Sequence, residues 1–538
     1  MTPETVHPAN RRPAHVRLFG VLVALVLVAA ACGKSSSSSS DSASSSGSSS
    51  TVLRLAFNAD MQVPDPDIFY EVEGNVVVTS AYEGLVRYKP SSAEIEPALA
   101  ESYDVSSDGL TYTFKLRSGI KFQDGTPLDA QTFIDSFKRR TDVNSAPAYM
   151  LADVESTTAP DPLTFVVKLK NPVSPFLDYL AAPYGPKAVS PKVLKDQAGS
   201  DFAQSYLKDH SAGTGPYYIS KFEVGQTYEL TRNDNYWDGK PYYSKINISI
   251  IPDMATQRLK LEGGELDMVL HGLPVADVDS FRKNDKFTVS EFPVLLKTVL
   301  ASNPNKGPFK NQALREGLRT SLDKTDIVKT IYLGQATVSK QATPVNVLPD
   351  GLGADTNVYD LAKLKAAVDA LPESDRSVDL GYSEDEGGTL PRLAEVIAAQ
   401  LGTAGLKVTV RGIPIAEVFD LPNKPEKAPD LLLWTFNPDA AHPDTWDRIF
   451  YSTKGSLNYL QCSVPEADAL MDQGLVETDK ATMQQDYGKA GDAILASGCF
   501  VTIADNKDFI VARKGITDLV HQLPTPYTVE FKALKSSP

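Results

Sequence analysis

The sequence predicts a mixed α/β protein of about three domains, and three observations carry that reading. Its 538 residues exceed one hydrophobic core at roughly 150 residues per domain. Residues 355–435 alternate helical and strand periodicity in the order of a β-α-β unit. Around Asp108-Gly109, a strong hairpin signal separates two segments that alternate apolar and polar residues. The composition, 42% apolar and 22% charged, is that of an ordinary globular chain and excludes disordered, collagen-like, coiled-coil and polytopic membrane classes.

Taken in order, residues 51–56 read as a first strand, followed by a loop around Pro64-Asp65-Pro66. Residues 103–105 and 110–116 flank the hairpin. Leu110, Tyr112, Phe114 and Leu116 point to one side and Thr111, Thr113, Lys115 and Arg117 to the other, so one face is buried and one is wet. Asp129 is placed to cap a helix whose Phe133 and Phe137 share a face, with Lys138, Arg139 and Arg140 in the last turn where the helix dipole favours cations. Further on, Leu361, Leu364, Val368 and Leu371 fall on one helical face, and residues 378–382 form a short strand. Leu390, Leu393, Ile397 and Leu401 mark a second helix, stopped by Gly402 and Gly405, before Leu406, Val408 and Val410 alternate as a strand. Leu431-Leu432-Leu433-Trp434 is a continuous apolar strand of the kind found in sheets covered on both faces.

The N-terminus predicts export. Arg11, Arg12 and Arg17 precede an apolar run over residues 18–31, too short for a helix across a bilayer, which needs about 20 residues, but suited to a secretory signal. Ala29-Ala30-Ala31-Cys32-Gly33 resembles the lipobox of bacterial lipoproteins, with Ala29 where Leu is most frequent, and implies a lipid-anchored Cys32. The alternative is plain secretion with a free Cys32. Residues 35–50 are almost pure serine with a few Asp, Ala and Gly, and 33–50 form a tether spanning about 23 Å as a flexible coil and about 60 Å at full stretch. With Cys32 acylated, Cys462 and Cys499 are the two cysteines left in an oxidising compartment, and a bridge between them would add about 4 kcal/mol; two separate buried thiols are the alternative.

Net charge is −15, and removing residues 1–31, with three Arg and one Glu, takes it to −17. No basic run follows the first twenty residues, which argues against a nucleic-acid partner. His210, His271, His442 and His521 are far apart, without metal-ligand spacing, and no G-x-S-x-G elbow, P-loop or G-x-G-x-x-G fingerprint is present. Nothing in the pattern argues for an enzyme.

Several segments resemble the extracytoplasmic solute-binding proteins of ABC importers, family 5, the oligopeptide, dipeptide and nickel-binding group. They are Leu99-Ala100-Glu101, Asp108-Gly109, Leu116-Arg117-Ser118-Gly119 and Phe122-Gln123-Asp124-Gly125-Thr126-Pro127 in the family's order, then Gly213-Thr214-Gly215-Pro216-Tyr217, Asn235-Tyr236-Trp237, residues 261–267, and Pro308-Phe309-Lys310-Asn311 with Leu314-Arg315. The resemblance implies a two-lobed periplasmic-binding-protein-like α/β fold with hinged lobes, mixed sheets and an extra third domain. It places domain I at 51–94, 213–298 and 500–538, domain II at 95–212, and domain III at 299–499, after a signal peptide (1–31) and a tether (32–50). It also implies an extracytoplasmic monomer, without cofactor or metal, that holds a small-molecule or peptide ligand between its lobes and hands it to ABC permease subunits in the membrane. A ligand-sensing surface receptor and a binder of a non-peptide solute such as an oligosaccharide are the alternatives.

For the ligand site, the resemblance points to Trp434-Thr435-Phe436-Asn437-Pro438-Asp439-Ala440-Ala441-His442-Pro443-Asp444. Peptide binders carry an Asp three residues after the Trp, where it holds the ligand α-ammonium. Here Asn437 occupies that place, and a neutral amide cannot neutralise an ammonium. Asp439, two residues on in a loop lengthened by two residues, is the substitute, and the two readings stay open. Trp434 at the strand end, Asn58 and Asp60 after the first strand, and Tyr217 complete the expected ligand contacts. Asp444 reads as turn and cap chemistry, His442 as a loop residue, and Tyr236 and Trp237 as packing beneath a sheet.

Overall fold

The computed structural model describes residues 51–356, 358–384 and 388–537. The signal segment, Cys32 and the serine tether lie outside the described residues. Among these residues no helix is long and apolar enough to cross a membrane.

Three main sheets organise the molecule. In the first, Val52–Phe57 runs parallel to Lys245–Ile250, which continues antiparallel to Thr227–Arg232 and then Tyr217–Glu223. The second is an antiparallel meander in the order Ala100–Val105, Thr111–Leu116, Thr164–Leu169, Val154–Asp161. The Asp108-Gly109 turn forms as its sequence dictates: Gly109 takes a positive φ of 68°, and Asp108 Oδ1 accepts the Leu110 N–H at 3.0 Å. Tyr112, Phe114 and Leu116 are buried beneath it, against the helix Ala130–Val143 that contributes Phe133 and Phe137. The chain returns through Gly213-Thr214-Gly215, where a Cβ would lie 2.0 Å from Ala81 O at Gly213 and 2.3 Å from Ser80 O at Gly215. Only glycine lets this connection lie against the helix Asn75–Ala81.

The third sheet has seven strands. Met268–Val269, Phe500–Arg513, Phe287–Ser302, Leu431–Phe436, Ser377–Ser383 and Lys407–Ile413 follow in that order, and Ala336–Val338 adds to Phe500–Arg513. The expected β-α-β unit is present: Ser377–Ser383 and Lys407–Ile413 are parallel and joined through the helix Thr389–Thr403. Leu431 and Leu433 enter one core while Leu432 and Trp434 enter the opposite one, so both faces are covered.

Two strands of this sheet are unusually long, 16 residues for Phe287–Ser302 and 14 for Phe500–Arg513. One end of the pair lies beside Met268–Val269 and the other beside Leu431–Phe436, and its register breaks between Pro293 and Lys297 and again between Thr298 and Val299. At the break, fully buried Lys297 donates to Asp505 Oδ1 at 2.6 Å and to Ser339 Oγ. Burial lowers the lysine pKa, and Asp505 opposes that. Cys462 and Cys499 are bonded, with Cα atoms 6.3 Å apart, in the core that also holds Trp434.

Asp129 caps its helix as read, accepting the Thr132 N–H at 3.0 Å, and Arg140 lies in the last turn; both Arg139 and Arg140 are also buried on partners that the sequence did not indicate. Arg139 reaches Asp65 at 2.5 Å and Asp67 at 2.6 Å, and Arg140 reaches Asp67 at 2.8 Å and donates to the carbonyls of Pro66 and Tyr184. All four side chains are buried, so two guanidiniums fasten the Asp-rich loop after the first strand to the second sheet's helix.

Candidate ligand cleft

The loop fastened by Arg139 and Arg140 presents Tyr70, whose ring packs edge-on against Tyr184 with centroids 5.0 Å apart. The short turn Ala146–Leu151, just past the same helix, presents Tyr149, edge-on against Tyr179 at 5.5 Å. Opposite them, the chain leaving Leu431–Phe436 turns through Pro438 and brings in Asp439. Both phenol hydroxyls donate to Asp439 Oδ2, Tyr149 at 2.7 Å and Tyr70 closer still. Three separate stretches of chain thus meet on one carboxylate. No Lys, Arg or His among the described residues pairs with it; burial raises its pKa, and the two phenol donors work in the other direction. Both tyrosines remain 38% exposed, while Asp439 between them is partly buried.

A cavity of about 400 Å³ is lined by Val72, two residues beyond Tyr70, and by Glu73, His271 and Tyr527. Tyr332, Thr435 and, from the long strand, Asn506 and Asp508 line it as well. Glu73 Oε2 meets His271 Nε2 at 2.8 Å, and the His271 ring stacks on Tyr527 at 4.4 Å. A larger hollow of about 620 Å³ lies elsewhere, between the 103–112 hairpin and the helix Lys480–Ala496, with Asp178 and His442 on its wall.

The expected site residues separate into groups. Asp439 is at the junction. Asn437 is not: its Nδ2 donates to its own neighbour Pro438 O at 3.1 Å. Trp434 is 1% exposed and packs among Trp446, Phe450 and Tyr459, so the expectation that it lines the cleft is corrected; strand alternation turns it into the core while Thr435 faces the cavity. Tyr217 is likewise a core residue, fully buried, with its hydroxyl on Tyr243 O at 3.0 Å. Asp60 accepts the Gly225 N–H at 2.6 Å and so serves the turn of the first sheet's hairpin rather than the cavity. Asn58 packs beside Gly272; between these two predicted residues it is Ala59 that reaches the cavity wall.

Asp444 holds Arg448 at 2.7 Å and the Tyr487 hydroxyl, which is structural chemistry in the first turn of Asp444–Phe450. His442 is buried, its Nδ1 accepts the Asp444 N–H at 3.2 Å, and burial pushes its pKa down to about 3. Tyr236 and Trp237 donate to Glu83 at 2.7 and 3.0 Å, and Arg117 stacks over Trp237. Among the described residues no group of three His, Cys, Asp or Glu is placed to hold a metal ion.

With this geometry in view, the comparisons with known proteins decide the family. The family described as bacterial extracellular solute-binding proteins, family 5, matches residues 94–458, more than half of the chain. The chain belongs to this family. Its members are the solute-binding proteins of ABC importers, and the fold is that of the solved relatives: two lobes with a third domain. The chain is 27% identical over 471 residues to the probable D,D-dipeptide-binding periplasmic protein of Escherichia coli K12, covering 86% of this chain and 90% of that one. A Helicobacter pylori ABC transporter-associated periplasmic binding protein, solved with the peptide STSA, superposes with a TM-score of 0.75 at 22% identity, covering 90% of this chain and 98% of that one. NikA from Brucella suis, solved with Fe(III)-EDTA, superposes with a TM-score of 0.79 at 22% identity, covering 90% of this chain and 100% of that one.

The junction and cavity residues that the sequence did not single out for the site are Tyr70, Tyr149, Glu73, His271, Tyr527 and Asp508. One signal was present: Asp505-Asn506-Lys507-Asp508 interrupts an apolar strand, which marks a place where the sheet faces something polar.

Proposed function

We propose that this protein captures a short peptide, or another solute with a free amino group, by closing its lobes on it, and delivers it unaltered to an ABC permease. The lipid on Cys32 would hold it at the outer face of the cytoplasmic membrane. Domain I (51–94, 213–298, 500–538), domain II (95–212) and domain III (299–499) form the moving parts, and the register break at residues 293–299 is the flexing point. The relatives named for dipeptide binding, and the neighbour solved with a peptide, support the ligand class.

One observation carries the reading: Asp439, a carboxylate at the meeting of Tyr70 and Tyr149 with no cation paired to it among the described residues. A half-buried carboxylate without a counter-ion is unfavourable until a cation arrives, and an α-ammonium, with three N–H donors, is a cation of the right size. A ligand contacting Asp439 and the tyrosines opposite at once has contacts in the closed form that the open form lacks, so it shifts the hinge equilibrium. Between the two candidates left open by the sequence, this favours Asp439 over Asn437. The test is native mass spectrometry of the purified protein for a retained ligand, followed by calorimetry with a peptide library; a library with no binder refutes the peptide reading, and a bound molecule returned chemically altered refutes the transport reading.

A further inference from the structure

Away from the Asp439 junction, the segments 51–212 and 299–499 meet again. The helix Pro465–Val476 runs into extended backbone at Glu477, and the last carbonyls of any helix lack partners within it. Two of these are met from the other segment: the Ser174 N–H donates to Leu475 O at 2.7 Å, and Ser174 Oγ donates to Gly474 O at 2.8 Å. A serine 300 residues away in the chain therefore caps this helix. Two residues past the helix end, Thr478 lies against the Asp108-Gly109 turn so closely that a Cβ on Gly109 would sit 2.8 Å from Thr478 Cγ2. A second clasp is made by Tyr88, which is buried. Its hydroxyl accepts the Ala441 N–H at 3.0 Å and donates to Asp178 Oδ1 at 2.9 Å. Beside it, Val347 and Ala441 are buried in the core that holds Tyr112, Phe114 and Leu169.

We propose that Ser174 and Tyr88 form a solute-independent latch between these two segments, so that the lobes close without a ligand and a solute enters during transient opening. The proposal rests on the reading of the lobes as parts that move against each other. None of Tyr88, Ser174, Ala441, Gly474 and Leu475 lines the 400 Å³ cavity, so the hydrogen bonds and apolar burial of the latch contribute to closure whatever the cavity holds. A solute then has to supply only the remaining part of the shift toward the closed form, and its apparent affinity rises with the fraction of protein already closed. Ser174 acts here as a positioning residue: it sets the balance between open and closed without touching the solute.

The experiment is hydrogen–deuterium exchange mass spectrometry, with fragmentation to single residues, on the full-length protein after dialysis has left no retained solute by native mass spectrometry. In wild type the amides at 174 and 441 should both be protected. Ser174→Ala removes the bond to Gly474, and exchange should speed up by about fivefold, the weight of one neutral hydrogen bond, at 174 and at 441 alike. Residue 441 keeps its own neighbours and its own bond to Tyr88, so a purely local role for Ser174 would leave it unmoved. Amides inside the helices Ala130–Val143 and Thr389–Thr403, one from each side of the seam, should keep wild-type rates. Thr478→Trp changes an exposed residue, leaves Ser174 in place and wedges the contact with Gly109; it should speed both amides by about tenfold or more. Fast exchange at both amides in wild type, or acceleration confined to one of them in both variants, overturns the proposal. No peptide is added, so the outcome is decided separately from whether the solute is a peptide.

Discussion

Asp439→Asn is the most informative single perturbation, because it predicts opposite effects on binding and on stability. Asparagine keeps an oxygen that can accept from Tyr70 and Tyr149, so the junction keeps its shape and loses its charge. A charge-assisted hydrogen bond to an ammonium contributes about 1.5–3 kcal/mol, and two unit charges 4 Å apart at an effective dielectric of about 20 interact by about 4 kcal/mol before desolvation, so a loss near 2 kcal/mol, about thirty-fold in affinity, is expected. Calorimetry on a free-amino peptide and on its N-acetylated form, with wild type and variant, makes a double-mutant cycle in which the acetylated peptide is insensitive to the substitution. Asn437→Asp is the matched control and should change affinity by less than about twofold, since that side chain turns back onto Pro438. Because burial raises the pKa of Asp439 in the empty protein, the folded state holds its proton more tightly than the unfolded chain does, so the empty protein loses stability as pH rises through that region. Asparagine is free of this penalty, and the empty variant should melt at or above the wild-type temperature at neutral pH. Equal loss of affinity for free and acetylated peptides, or no loss for either, refutes the role assigned to this carboxylate.

Other consequences are open to simpler measurements. Arg140→Ala leaves Asp67 with one of its two guanidinium partners and removes the donors to Pro66 and Tyr184, and should lower the urea unfolding free energy by about 3–5 kcal/mol. Asp447, buried with Thr343 as hydrogen-bond donor, has its pKa pushed up to about 8, so its contribution is intact below the unfolded value near 4 and is lost as pH rises to about 8. Melting curves of Asp447→Asn should therefore coincide with wild type at the acid end and lie progressively above it toward pH 8. Thiol titration of the unreduced, unfolded protein should find neither Cys462 nor Cys499 reactive, and reduction should destabilise the fold by about 4 kcal/mol, as expected for a 37-residue interval.

What the sequence reveals and hides here follows from the range of the interactions involved. The Asp108-Gly109 turn, the Asp129 cap and the helix Thr389–Thr403 are legible because each is decided within a few residues by backbone geometry or periodicity. Trp434 shows the limit: strand position correctly places it at the end of a buried strand, but which way its ring points depends on pairing with Phe287–Ser302, and that turns Thr435 rather than Trp434 toward the cavity. Asp439 was nameable through the family pattern, whereas Tyr70 and Tyr149 were not. They lie 369 and 290 residues from it in the chain, and nothing local to either distinguishes a tyrosine destined for a carboxylate from any other. The acidic partners of Arg139 and Arg140 stayed hidden for the same reason, lying more than 70 residues upstream.

That pair of arginines bears on recognition at a distance. Tyr70 extends from the loop they grip and Tyr149 from the turn just past their own helix, so the two phenols ride on a single preassembled jaw whose spacing is set before any solute arrives. In the proposed closure, Asp439 is the face that moves against it. On that reading the protein works like a gauge with one fixed face and one sliding face, and a mutation that slackened the bolts behind the fixed face would blur what the instrument measures long before it stopped it from closing.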